Sequence, residues 1–165
     1  SASTSVTTEK IHINADHMKL NMASGVSVYT GNVKISQGKL VLTGDKVTLK
    51  QANDELEQFT VIGKPARYNH VTEDGENIKA ESEKMVYTAS QNRLVMTKNA
   101  QLTQPDHHIS SQKIIYDTEK KIVIAGDTDA KKNGDADSNT QGEPAQRVKI
   151  TLTPKKEPAT GSTKE

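Results

Sequence analysis

The stretch Tyr29–Lys50, YTGNVKISQGKLVLTGDKVTLK, decides the fold. Three short runs alternate apolar and polar residues: Val33 and Ile35, Leu40 and Leu42, Val47 and Leu49. Period-two alternation sends successive side chains to opposite faces, so each run reads as a half-buried strand. Gly31-Asn32, Gln37-Gly38 and Gly44-Asp45 supply residues that tolerate positive φ, as tight turns between short strands require. The spacing leaves no room for a helix. The expected unit is strand, turn, strand, turn, strand.

The same pattern extends in both directions. Ile11, Ile13 and Ala15 alternate, then Met18, Leu20 and Met22, with Ser24-Gly25 turning the chain into Val26 and Val28. Downstream, Gln51–Glu57 reads as a polar loop, and Phe59 with Val61 as a strand that Gly63-Lys64-Pro65 breaks. Glu73-Asp74-Gly75 is a hairpin signal before Ile78 and Ala80. Further strands centre on Met85 and Tyr87, Leu94 and Met96, Ala100 and Leu102, Ile109, Ile114 and Tyr116, and Ile122 and Ile124. Met18–Met22 and Ser82–Tyr87 have some helical propensity, but their alternation argues for strands. Strands at spacings of about 7–11 residues without a helix indicate an all-β sandwich, barrel or roll.

The chain repeats itself. Gly31–Gln37 aligns with Lys98–Gln104 at an offset of 67, and at that offset Leu42 meets Ile109, Val47 meets Ile114 and Leu49 meets Tyr116. Upstream, Ala15-Asp16 matches Ala80-Glu81 at an offset of 65. Two copies of one module imply stacked strands, each copy burying its face against the other.

Composition narrows the function. Hydrophobic residues make up 32% of the 165, with one Phe, four Tyr and no Trp, so the expected core is thin. A net charge of +1, from 22 basic and 21 acidic residues, offers no field for nucleic acid or anionic membranes. Without cysteine there is no disulfide, thiolate nucleophile or Cys-based metal site. No run approaches a membrane span, and no signal peptide is present. The start at Ser1 hints at a removed leader or an excised segment.

Catalytic patterns fail one by one. Gly38–Lys46 has glycines and a lysine, but Asp45 would repel phosphate. His107-His108 sits beside Pro105-Asp106 in a solvated turn, and His12, His17 and His70 are scattered, whereas zinc needs converging ligands. Asp45, Asp54 and Asp74 fall where aspartate stabilises turns. No nucleophile elbow is present. The chain reads as a protein that is not an enzyme and needs no metal or cofactor.

What remains is the apolar face. Parity directs Ile11, Ile13, Leu20, Val28, Val33, Ile35, Leu42, Leu49, Tyr68, Met85, Leu102, Ile109 and Tyr116 to one side. Most of these serve as ordinary core. Such a sparse aliphatic set, with Met and few large aromatics, also suits a groove between sheets that accepts flexible acyl chains.

The order Tyr29-Thr30-Gly31-Asn32-Val33, Gln37-Gly38, Gly44-Asp45-Lys46-Val47 resembles the OstA-like family. Ile11-His12-Ile13, Gly63-Lys64-Pro65-Ala66 and Lys113-Ile114-Ile115-Tyr116 extend the likeness, which covers roughly residues 9–126. The resemblance implies an all-β jellyroll of many short antiparallel strands, open at both ends, over residues 11–126. Residues 1–10 would then be a flexible N-terminus, 127–147 a mobile polar insert, 148–153 a possible final strand and 154–165 a disordered tail.

Function follows as expectation. The resemblance implies a periplasmic protein that shelters the lipid A acyl chains of lipopolysaccharide, with the face above, Val28 apart, as the lipid-binding set. It implies head-to-tail self-assembly through strand edges, Ile11–Ala15 at one end and Val148–Leu152 or Ile122–Ile124 at the other. It also implies an LptC-like inner-membrane partner and an LptD-like outer-membrane partner, and no nucleic acid. The chain could instead be an LptC-like or LptD-like periplasmic domain; the first normally carries an N-terminal membrane helix and the second a large barrel, and neither stands in this sequence, though either could have been cut away. A carbohydrate-binding jellyroll would need exposed aromatic platforms, and a structural solenoid more and stricter repeats.

Overall fold

The computed structural model describes residues 9–126 and 147–154. The expected flexible segment up to residue 8, the insert 127–146 and the tail from residue 155 lie outside the described residues. No helix among the described residues is long and apolar enough to cross a membrane.

The described chain is one antiparallel sheet. Its strands are β1 His12–Asn14, β2 His17–Asn21, β3 Val26–Gln37, β4 Leu40–Ala52, β5 Glu55–Val71, β6 Asn77–Thr88, β7 Arg93–Gln104, β8 His107–Asp117, β9 Ile122–Ala125 and β10 Lys149–Leu152. Strands β3 to β8 pair in sequence order. At one edge β1 and β2 share the length of β3; at the other, β9 and β10 share the length of β8. The only helical element among the described residues is a single 3₁₀ turn at Ala89–Gln91.

Two expected turns are not turns. Gly31-Asn32 lies inside β3 and Gly44-Asp45 inside β4, where the register slips between Thr30 and Val33. Gly31 and Asn32 do take positive φ, at 86° and 45°. They spend it on a β-bulge, which bends a continuous strand. Gly63-Lys64-Pro65 likewise does not break β5; it occupies the slip between Ile62 and Ala66. A residue left out of the ladder is where proline costs no hydrogen bond. Slips between Glu81 and Lys84 and between Thr97 and Ala100 continue the line across β6 and β7. Long strands bent at one level thus replace pairs of short ones. The expected loop Gln51–Glu57 is also tighter than it reads: Asn53 and Asp54, both at positive φ, form a two-residue hairpin.

The repeat is stricter in three dimensions than in sequence. Adding 67 to β3 gives β7 residue for residue, bulge included. The offset of 65 upstream does not hold: Ile13 faces Ile35 as Ala80 faces Leu102, and Met18 faces Tyr29 as Met85 faces Met96. The offset is 67 there too. Identical residues at Ala15 and Ala80 were a coincidence that strand pairing overrides.

The sheet folds over itself along the bulge line. Val61, Ala66, Met85, Met96, Ala100 and Ile114 are all fully buried and belong to one continuous core. A single open sheet would leave one face of those strands to water, so its two halves must cover each other.

Candidate functional site

The inner face is organised as cross-strand rows. On the side of the bulge line where β3 turns into β4, one row runs Ile13, Ile35, Leu42, Tyr68, Ala80, Leu102, Ile109, Ile150 without a break from edge to edge. On the opposite side of the bulge line a second runs Met18, Tyr29, Val47, Val61, Met85, Met96, Ile114, Ala125. Beside it lies a third: Leu20, Ser27, Leu49, Phe59, Tyr87, Leu94, Tyr116, Val123. Ser27 is the one polar residue in these three rows. No charged side chain interrupts them.

Of the residues expected on this face, Val33, Ile35, Leu42, Tyr68, Met85, Leu102, Ile109 and Tyr116 are buried in the core. Ile13 is partly buried against it, and Leu49 is half-buried in the third row. Leu20 holds an inner-row position but is exposed, because it sits on the edge strand with no neighbour beyond. Ile11 precedes β1 and is also exposed. Val28 was misassigned: it faces outward in a row with Lys19 and Thr48, since Ser27 and Tyr29 take the inner positions.

Several row members escaped the sequence reading: Met18, Val47, Val61, Ala80, Met96, Ile114 and Ile150. Counting back by two from Leu49 and Tyr116 would have found Val47 and Ile114. Parity does not carry across a bulge. Leu42 and Val47 both face inward although five residues apart, because the slip inserts a residue between them.

All five aromatic rings face inward. Phe59 stacks on Tyr87 with centroids 5.2 Å apart, and Tyr68 meets the edge of His70 at 6.4 Å. Burial first, then the nearby Tyr116 and Tyr87, pushes the Tyr68 hydroxyl far above the ordinary tyrosine range. Burial also raises Tyr116, with Asp117 and Glu76 adding to the effect. His70 is lowered, by burial and then by Lys121. With no aromatic ring displayed outside, the platform that a carbohydrate module would need is missing from the described surface.

Outside the interior the described residues bring little chemistry together. His107 and His108 begin β8 rather than forming the expected turn; His107 Nδ1 lies 3.0 Å from Asp106 Oδ1, and His108 Nδ1 lies 2.8 Å from Thr103 Oγ1. No group of three or more metal-ligating side chains converges among the described residues. A shallow cleft of about 290 Å³ on the bulge ridge is lined by Lys64, Pro65, Glu81, Ser82, Glu83, Lys98, Asn99 and Gln101. Its charged lining does not suit an apolar ligand.

The rows reach both edges in apolar side chains: Met18 and Leu20 are exposed at one edge and Ile150 at the other, while Ile13, Val123 and Ala125 are partly buried. Residues 12–122 match the family model described as LptA/(LptD N-terminal domain) LPS transport protein. The chain belongs to this family. It is similar to lipopolysaccharide export system protein LptH of Pseudomonas aeruginosa, at 35% identity over 90% of this chain and 81% of that protein. It is also similar to lipopolysaccharide export system protein LptA of Escherichia coli K12, at 32% identity over 70% of this chain and 63% of that one. The chain therefore aligns with slightly less than two thirds of the E. coli protein. A crystal structure of LptH superposes with a TM-score of 0.75 at 34% identity, covering 88% of this chain and 96% of that one. That structure is described as the LptA homologous periplasmic component of a conserved lipopolysaccharide transport device. An open antiparallel sheet folded on itself is thus the architecture that this chain shares with a member of the family.

Proposed function

We propose that this chain is a non-enzymatic periplasmic carrier of lipopolysaccharide. In this reading its inner rows shelter the lipid A acyl chains, and its copies join head to tail to bridge the two membranes. One observation carries the reading: apart from Ser27 the inner rows run apolar from one sheet edge to the other, and three of their six ends, Met18, Leu20 and Ile150, are exposed. An ordinary core has no reason to continue to an unprotected edge.

The energetics fit. An acyl chain of about a dozen methylenes costs on the order of 10 kcal/mol to hold in water, at ~0.8 kcal/mol per CH₂. A lipid with several chains does not cross an aqueous gap unescorted. Passing it between two similar apolar interiors is nearly neutral in that term, so direction must be imposed by other components. The central members of the first two rows, among them Leu42, Met85 and Leu102, are buried in this structure, so lipid entry requires the two halves to part. Met85 and Met96 at the centre provide unbranched side chains that repack readily. An LptC-like protein would meet one sheet edge and an LptD-like protein the other, each by strand addition.

The test is photocrosslinking to purified lipopolysaccharide from probes at Ile13, Ile35 and Tyr116, with Lys34 and Lys113 as outward-facing controls. Lipid adducts at the three inner positions and none at the lysines are expected. A folded protein that gives no inner adducts would reduce the interior to a plain core and leave a structural scaffold as the reading.

A further inference from the structure

Every strand at one edge of the sheet has a counterpart inside it. The residues of β1 and β2 lie against β3 in the register in which β6 lies against β7, offset by 67 throughout. At the opposite edge, β9 lies against β8 as the first half of β5 lies against β4: Val123 faces Tyr116 as Phe59 faces Leu49. β10 completes the set, with Ile150 facing Ile109 as Tyr68 faces Leu42. One edge is thus a copy of β6, split in two, and the other a copy of β5, split in two. Within the chain, β5 and β6 are each other's neighbours.

Exposure follows the same correspondence. Met85 is 0% exposed, whereas its edge counterpart Met18 is 48% exposed. Tyr68 is 7% exposed and Ile150 is 55%; Ile78 is 3% and Ile11 is 47%. In each pair the internal residue is covered by a strand that the edge residue lacks.

We infer that the joint between copies reproduces the β5–β6 junction, residue for residue. The inference rests on the head-to-tail reading above and adds the register. Tyr68 faces Ala80 inside the chain, so Ile150 faces Ile13 of the next copy. Val61 faces Met85, so Ala125 faces Met18 of the next copy. Arg67 faces Glu81, so Lys149 faces Asn14 of the next copy. The edge that joins differs from the edge that receives it, so the contact propagates instead of closing. In this register the inner rows run on from copy to copy without a step.

One contact distinguishes the joint from its template. Inside the chain, Arg67 Nε pairs with Glu81 Oε2 at 3.1 Å. At the joint that position holds Lys149 and Asn14, a cation without its carboxylate. The joint therefore lacks the side-chain ion pair that its template carries.

The chain has no cysteine, which makes disulfide trapping clean. Copies carrying Ile150→Cys are mixed with copies carrying Ile13→Cys, Ile11→Cys or Ala15→Cys; a second pair combines Ala125→Cys with Met18→Cys. A two-residue slip moves the Cα by about 6.6 Å, to the limit of what a disulfide spans or beyond it. The 150–13 and 125–18 pairs are expected to link in preference to 150–11 and 150–15, by about tenfold in rate. Faster linking at 150–11 or 150–15 overturns the register and leaves head-to-tail assembly standing. Linking at no pair, with light scattering showing a monomer at every concentration, overturns the assembly reading itself. A charge series gives a second measurement. Asn14→Glu restores the missing carboxylate and should tighten self-association by about two- to fivefold, Asn14→Lys should weaken it, and adding Lys149→Glu to Asn14→Lys should recover it. A series in which all three associate alike would also overturn the register.

Discussion

Tyr68 on β5 and Tyr116 on β8 lie on opposite sides of the bulge line, yet within electrostatic reach of each other across the interior. Their proximity places the two halves of the folded sheet face to face. It also makes both hydroxyls costly to ionise, since burial is the leading cause of the upward shift in each.

Alkaline sensitivity follows. The unfolded chain ionises its tyrosines near pH 10, while the folded chain holds Tyr68 and Tyr116 protonated to higher pH. Stability is therefore full below about pH 10 and falls as pH rises through the folded values. Thermal melts between about pH 8 and 11 should show this decline, and Tyr68→Phe should flatten it. An unchanged slope in Tyr68→Phe would place the loss elsewhere.

Acid acts through His70. Burial, then Lys121, lowers its pKa, so the folded state resists the proton that the unfolded state accepts near pH 6.5. Its contribution is present above about pH 6.5 and is lost as pH falls toward the folded value. His70→Gln should lessen the drop in melting temperature between about pH 7 and 5, and an identical drop in the variant would exclude His70 as its source.

The strands were legible because their alternation is local. Val33 with Ile35, and Leu40 with Leu42, announce their faces without reference to anything distant. Bulges were not legible as bulges: a positive-φ pair such as Gly31-Asn32 is chemically the same whether the chain reverses or only bends. Only the partner strand decides, and at Thr30–Val33 it continues alongside. Parity read the inner face within a stretch such as Ile35 to Leu42 but not across a bulge, and the exposure of Leu20 and Ile11 was not readable at all. Exposure at an edge depends on where the sheet stops, which no single strand encodes. The repeat was visible at its bulges and misread upstream, where Ala15 and Ala80 matched by chance.

The methionine pair separates folding from assembly. Met85→Ala removes a fully buried side chain and should cost about 2–5 kcal/mol, lowering the melting temperature by roughly 10 °C or more. Met18→Ala, at the equivalent edge position, should change the melting temperature of dilute protein little, within about 0.5 kcal/mol. Its effect should appear in self-association instead, as a weaker dimer by sedimentation. Equal destabilisation by the two would mean that the edge is already covered.

Gly31 and its repeat partner Lys98 occupy the same bulge position, with φ of 86° and 75°. A Cβ on Gly31 would stand 2.5 Å from Asp16 Oδ2 and 2.7 Å from Asp16 Cβ. Asp16 cannot retreat freely: its N–H donates to the carbonyls of Thr30 and Gly31 at 3.1 and 3.0 Å, and its carboxylate accepts from Asn32 Nδ2 at 3.2 Å. These bonds seat the corner between β1 and β2. Gly31→Val should therefore cost about 1–3 kcal/mol through backbone strain and also loosen the edge where copies are proposed to join. Lys98 already carries a side chain at positive φ, so Lys98→Gly trades that strain against glycine's greater unfolded-state freedom and should change stability by no more than about 1 kcal/mol. Melting curves and hydrogen exchange of the two variants check this: Gly31→Val should speed exchange in β1 and β2 selectively, and uniform acceleration across the sheet would show that the corner does not act as a local seat.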